Sequence, residues 1–217
     1  MNIDDLLMRE KARRDAYKNL AVCYHLPNGE LTTMLKGLER QLGVLASGAL
    51  SYAALMRKEF ESLKDLEELK IDFARLFVGP YSLLAPPYGS IYLERERKIM
   101  GDSTLYLLEI YRHAGVDLSE NFRDAPDHVA AELEFMYFLV FKEIEALENS
   151  DIETTLGFLE KQRAFLRKHL GAWVFEFADT IEEKAETDFY KNLARATNAF
   201  LKQELDHLEE FHLAQAS

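Results

Sequence analysis

The chain has 217 residues, 48% of them hydrophobic and 12% aromatic, which suffices for a domain with a sizeable core, and its five prolines and ten glycines exclude a collagen-like or disordered chain. With 26 Lys and Arg against 38 Asp and Glu the formal charge is -12, so the surface repels phosphate backbones and anionic lipid, and no nucleic-acid partner is expected. The one cysteine, Cys23, has no partner for an internal disulfide and reads as a buried core thiol.

The N-terminal stretch Met1 to Ala21 carries charges throughout and lacks the apolar core of a secretory leader; Arg13-Arg14 has no hydrophobic run behind it. Instead Leu6, Leu7, Ala12, Ala16, Leu20 and Cys23 recur at helical steps, predicting a helix over 4–24 that ends at Pro27-Asn28-Gly29. Further helices are expected over 31–45, 50–61 and 66–77. The next stretch, 79–90, holds three of the five prolines and is rich in apolar and aromatic side chains. Pro86-Pro87 fixes an extended backbone there, and a long, greasy connection is a functional signal because ordinary loops are short and polar.

Helical pattern resumes near Ile91, breaks at Gly101-Asp102-Ser103, and continues over 104–114 to Gly115. Asp124 is positioned to cap a long helix over 125–147, with Pro126 tolerated in its first turn. The apolar run Phe135 to Phe141 lies in this segment, far short of the about 20 residues that span a bilayer. No stable membrane insertion is expected, and the protein is expected to stay in the cytoplasm. Three more helices follow, over 152–169, 171–184 and 187–213. No alternating strand pattern and no repeat is present, so the fold class is all-α, one multi-helix bundle domain spanning 1–217.

Three constellations carry chemistry. The first is Phe73-x-x-Leu76-Phe77-x-Gly79-Pro80 with Pro86-Pro87-Tyr88-x-Ser90-x-Tyr92-x-Glu94, a helix end, a stiffened loop and a new helix start. Its prolines and flat rings suit capture of a peptide, although Phe73, Leu76 and Phe77 also fit a core. The second is Asp124-x-Pro126-Asp127-His128-x-x-x-Glu132-Leu133-Glu134, an acidic helix start able to pair with guanidinium groups. Capping explains Asp124 but not Glu132 and Glu134 beside so apolar a segment. The third, Phe165-x-x-x-His169-Leu170-x-x-Trp173-x-x-x-Phe177, is better explained by core packing, with His169 satisfying carbonyls near a helix end. Metal ligation has thin support: Glu204-x-x-His207 and Glu209-x-x-His212 share one helix, whereas a di-iron bundle needs such pairs on two. There is no His-Glu-x-x-His, Cys-x-x-Cys, Gly-x-Ser-x-Gly or phosphate loop, so no cofactor and no catalytic residue is assigned.

In this order, the three constellations and the closing Ala185-x-x-Asp188-Phe-Tyr190-x-x-Leu193-Ala194 resemble the TorD/DmsD/NarJ family of redox-enzyme maturation chaperones over about residues 40–205. The resemblance implies a non-enzymatic chaperone. Its partner would be the catalytic subunit of a molybdopterin oxidoreductase, bound through its twin-arginine leader or its apoprotein until the cofactor is inserted. It places peptide binding on Leu76, Phe77, Pro80, Pro86, Pro87, Tyr88, Ser90, Tyr92 and Glu94, and on Asp127, His128, Glu132 and Glu134. Asp127, Glu132 or Glu134 are expected to face the leader's arginines, and Leu76, Tyr88 and Tyr92 its apolar part. Some leader-binding members carry tryptophans in the loop; here it has tyrosines, which leaves the client undecided. A homodimer formed by exchange across the loop stays open. The alternatives are a metal- or nucleotide-binding helical-bundle enzyme and a general helical adaptor.

Overall fold

The structure, a computed structural model, describes residues 2–79, 83–94, 99–116 and 124–215. Among them ten α-helices and one π-helical turn account for the regular structure: α1 (Ile3–Val22), α2 (Leu31–Val44), α3 (Leu50–Ser62), α4 (Glu67–Phe73) running into the π-turn (Ala74–Val78), α5 (Gly89–Leu93), α6 (Asp102–His113), α7 (Val129–Glu148), α8 (Ile152–Lys168), α9 (Leu170–Lys184) and α10 (Asp188–Gln215). The all-α expectation is met. Pro80 lies outside the described residues.

The central element is α7. Val129, Leu133, Met136, Val140 and Ile144 are buried along one side and Phe135 and Leu139 along another, so the helix is apolar nearly all round and sits inside the bundle. It packs between α1 and α8, α1 also lies on α2, and α10 closes the other side against α3 and α9. Aromatic rings fill the space between α1, the π-turn, α9 and α10. Phe77 lies 5.2 Å from Phe73, 5.6 Å from Tyr190, 6.1 Å from Phe177 and 6.2 Å from Tyr24, in tilted and edge-on pairings that suit ring quadrupoles.

The helix over 66–77 does not run straight. Its last turn widens, the Gly79 N–H reaching back five residues to the Ala74 carbonyl, and Gly79 leaves it at φ 57°. The wider turn carries Leu76 and Phe77 into the core together, and π-turns mark functional positions often enough to direct attention to the segment that follows. Asp72 fixes the turn in place. Its Oδ2 accepts the Glu186 and Thr187 N–H groups and the Thr187 hydroxyl, capping the start of α10 from another element, and Oδ1 accepts from Arg75 at 2.7 Å.

Within the bundle, Arg13 of α1 is fully buried with Glu10, Glu143 and Glu204. Its guanidinium donates to Glu204 at 2.9–3.1 Å, to Gln162 at 2.9 Å and to Glu10. Gln162 in turn donates to Glu143 at 2.7 Å. The Glu204-x-x-His207 spacing thus has its carboxylate engaged by an arginine. Three carboxyls around one guanidinium leave negative charge uncompensated, and burial raises the Glu143 carboxyl from its ordinary 4.5 to about 7, Glu10 adding to the rise and Arg13 opposing it.

Because the folded chain holds the Glu143 proton more tightly than the unfolded chain, the stability it contributes is fully present below about pH 4.5 and is lost as pH rises through about 7. Glu143→Gln, which stays neutral and keeps an acceptor for Gln162, is expected to flatten that loss. In urea denaturation the variant should match the wild type at pH 5 and exceed it at pH 8; equal pH slopes would show that Glu143 is ionised throughout.

Candidate functional site

The proline crossover and the acidic segment meet. Tyr88 and His128 form an isolated antiparallel bridge, with the Gly89 N–H donating to the Asp127 carbonyl and the Val129 N–H to the Pro87 carbonyl, both at 2.9 Å. Upstream, the Ala85 N–H donates to the Leu76 carbonyl at 2.9 Å, so the crossover is tied to the π-turn as well. This pairing corrects the expected helix start. Pro126 and Asp127 lie in a turn, His128 is extended at ψ 138°, and α7 begins only at Val129, whose N–H is used across the loop. His128, not Asp124, caps it, Nδ1 accepting the Ala130 N–H at 3.1 Å.

Between these segments and the end of α1 lies a cleft of about 500 Å3. Phe73, Phe77 and Tyr24 form its floor, Pro87, Tyr88 and His128 one wall, and His25, Leu26, Val78, Leu83, Ile99 and Asp124 its rim. Leu26 is 56% exposed, Val78 59% and Ile99 46%, a concentration of uncovered apolar side chains around one concavity. Asp124 is the one carboxylate among the lining residues; it is exposed and accepts the Tyr88 hydroxyl through Oδ1 at 3.2 Å. Burial, and after it the Asp124 carboxylate, push the Tyr88 phenol up to about 12, so it stays a donor.

His128 stacks parallel to His25, ring centres 6.3 Å apart, and meets the Tyr88 edge at 5.4 Å. Burial lowers its pKa from 6.5 to about 4, His25 adding to the fall while Asp124 and Asp127 oppose it. Its ring is therefore neutral near pH 7. With Nδ1 occupied as an acceptor, Nε2 carries the proton and is a donor.

The acids expected to face a partner's arginines are differently placed. Asp127 is buried, its Oδ2 accepting the Ser90 N–H at 2.7 Å, so it caps α5 instead of meeting solvent. Glu132 is buried too, its Oε1 accepting the Trp173 indole N–H at 3.1 Å. Burial raises its pKa well above the ordinary carboxylate value, the Trp173 hydrogen bond opposing the rise and Asp127 adding to it, so the closed environment favours its uncharged form. Glu134 is exposed but does not line the cleft. Among the described residues no arginine or lysine holds Asp127 or Glu132; backbone and indole donors do.

Of the loop residues, Leu76 and Ser90 are fully buried, which removes Leu76 from the surface where it was expected. Phe77 is buried but forms cleft floor, Pro86 is half-buried, and Tyr92 stacks on Trp173 at 5.4 Å. Glu94 accepts the Ser103 N–H at 2.9 Å, bridging α5 to the start of α6. Gly89 permits this packing, since a Cβ there would sit 2.9 Å from the Trp173 Nε1 and 3.1 Å from Glu132 Oε1. Tyr24, His25, Leu26 and Ile99 were not singled out by sequence. Leu26 had a signal, an apolar residue directly before the Pro27-Asn28-Gly29 helix stop; Ile99 had none.

A family model for the nitrate reductase delta subunit matches residues 31–179. A protein of Haemophilus influenzae described as a probable Tat proofreading chaperone DmsD is 27% identical over 186 residues, covering 84% of each chain. The Tat proofreading chaperone DmsD of Salmonella paratyphi A is 30% identical over 159 residues, covering 73% of this chain and 69% of its own. The chaperone protein TorD of Vibrio cholerae is 25% identical over 208 residues, covering 96% and 89%. Among solved structures, one described as a redox enzyme maturation protein from Archaeoglobus fulgidus aligns with a TM-score of 0.56 and 24% identity over 87% of this chain and 93% of that one, a likeness of fold.

Since burial favours the uncharged form of Glu132, Glu132→Gln is expected to leave stability within about 0.5 kcal/mol of wild type at pH 7. Glu132→Ala strands the buried Trp173 indole N–H and should cost about 1–3 kcal/mol. Urea denaturation followed by Trp173 fluorescence separates the two; equal losses would mean that Glu132 acts as a buried anion.

Proposed function

The chain belongs to the nitrate reductase delta subunit family, the TorD/DmsD/NarJ group of redox-enzyme maturation chaperones, and from that premise we propose that its cleft between the crossover and His128 receives the twin-arginine leader of a molybdopterin oxidoreductase catalytic subunit. The protein is a chaperone of molybdoenzyme maturation and not an enzyme. We place the encounter in the cytoplasm, before export; no helix among the described residues is long and apolar enough to cross a membrane.

The observation that carries this reading is the uncovered apolar rim of Leu26, Val78 and Ile99 around an aromatic floor, beside the exposed Asp124. A twin-arginine leader joins two guanidinium groups to an apolar stretch, and the cleft complements both kinds of surface. Burying those three side chains against apolar residues removes exposed hydrocarbon from water. Asp124 offers its remaining oxygen to one guanidinium, and the flat rings of His25, His128 and Tyr88 give the other a stacking surface. Pro86 and Pro87 hold the wall in shape before the peptide arrives, which lowers the ordering cost of binding.

This reading replaces Asp127, Glu132 and Glu134 with Asp124 as the charge that meets arginine. Asp124→Lys is expected to weaken binding of a synthetic twin-arginine leader by about tenfold to a hundredfold, as loss and reversal of a charge-assisted pair would. Leu26→Asp with Val78→Asp should weaken it comparably through the apolar half. Isothermal calorimetry measures both, with far-UV circular dichroism confirming helix content. Wild-type affinity in Asp124→Lys would remove the carboxylate from recognition, and wild-type affinity in both variants would place the leader elsewhere.

A further inference from the structure

A second cleft, sharing no lining residue with the first, opens between α6, α7 and α8 with a volume of about 260 Å3. Leu139, Phe165 and Phe135 form its floor, each at most 4% exposed. Its rim is basic: Lys161 and Lys168 of α8, His113 at the end of α6, and His169. No lining residue carries a carboxyl, although the chain has 38 Asp and Glu against 26 Lys and Arg. Among the described residues neither lysine nor His113 has an ion-pair partner; Lys161 Nζ instead sits 4.5 Å from the centre of the Phe158 ring. His169 is held between rings, 5.3 Å from Phe165 and 5.5 Å from Tyr106. Burial, and then Lys168, hold it below its ordinary pKa, so the lysines carry the charge while His169 is a neutral wall.

An apolar hollow with a cationic mouth, on a molecule otherwise dominated by carboxylates, selects a ligand of the opposite pattern. We propose that this cleft binds a small amphipathic carboxylate, its apolar body on Phe135, Leu139 and Phe165 and its acid head between Lys161 and Lys168. The volume suits a short aliphatic chain or a small ring system and is below the usual range of about 300–1,000 Å3 for larger ligands. Tyr106, 57% exposed beside the opening, would cover part of the body once it is seated. The assignment is independent of leader binding, because the two clefts share no residue.

Decanoate and its uncharged counterpart decanol serve as probes of the full chain by isothermal calorimetry. Decanoate is expected to bind at one site, about tenfold or more tighter than decanol. Lys161→Glu with Lys168→Glu, two exposed changes that leave the core alone, should lower decanoate affinity by at least about tenfold while leaving decanol within about twofold. Leu26→Asp at the first cleft should change neither. Absence of saturable decanoate binding, equal affinity for decanol, or loss in Leu26→Asp with retention in the lysine variant would each overturn the assignment.

Discussion

The candidate site depends on one short antiparallel pairing, Tyr88 against His128, that joins two segments forty residues apart. Three donors hold it: Gly89 N–H on the Asp127 carbonyl, Val129 N–H on the Pro87 carbonyl, and Ser90 N–H on the Asp127 carboxylate. Each is an amide at a helix start, a group the helix itself cannot satisfy. Two helix N-termini, those of α5 and α7, thus complete each other's hydrogen bonding, and the proline crossover that leads into α5 is pinned where an unpaired loop would cost unsatisfied backbone. Everything the first cleft offers, from the Tyr88 wall to the His128 donor, follows from that junction.

The junction also explains why carboxyl groups gather there without making a strongly negative surface. Asp127 caps α5 and Glu132 is held by an indole in a closed environment that disfavours its charge. What remains at the cleft is one carboxylate, Asp124, among apolar and aromatic side chains. On the proposed reading, such a site would discriminate by combination. A peptide with positive charge alone gains one partially solvated contact, worth little in water, and a peptide with only an apolar stretch leaves Asp124 and the Nε2 donor of His128 to be desolvated without reward. A sequence bearing both gains on each side.

Much of the fold was legible because helical periodicity is local. The apolar steps of α1, α2, α3 and α6 placed those elements to within two residues, and Gly115, at φ 74°, stopped α6 as its position suggested. The errors arose where distant residues compete for the same amides. Pro126 has the signature of a first helical turn, yet the Pro87 carbonyl claims the Val129 N–H and delays the helix by a turn. The widened turn at Ala74–Val78 is set by core packing of both Leu76 and Phe77, which no pattern of spacing reveals. In the site, sequence identified the right two segments but not the division of labour among their acids. A carboxyl that will be buried against Trp173, forty-one residues later, looks in one dimension like one that will face solvent.

That division of labour has a consequence for how substitutions at the site should be read. A reversal at Asp127 removes a carboxylate from the cap of α5 and from the junction that shapes the crossover, so lost binding there would report a displaced wall as readily as a lost ion pair. A reversal at Asp124 leaves every backbone bond of the junction intact, since its one hydrogen bond within the described residues is to the Tyr88 hydroxyl. Recognition and architecture are therefore separable at Asp124 and inseparable at Asp127, three residues away. The same logic holds for the apolar half: Leu26 and Val78 are surface side chains whose loss costs the core little, whereas Leu76 and Phe77 bear on the ring cluster that joins the π-turn to α9 and α10. A chaperone that must grip an unfinished partner and then release it is better served by contacts of the first kind, which can be made and broken without disturbing the helices that present them.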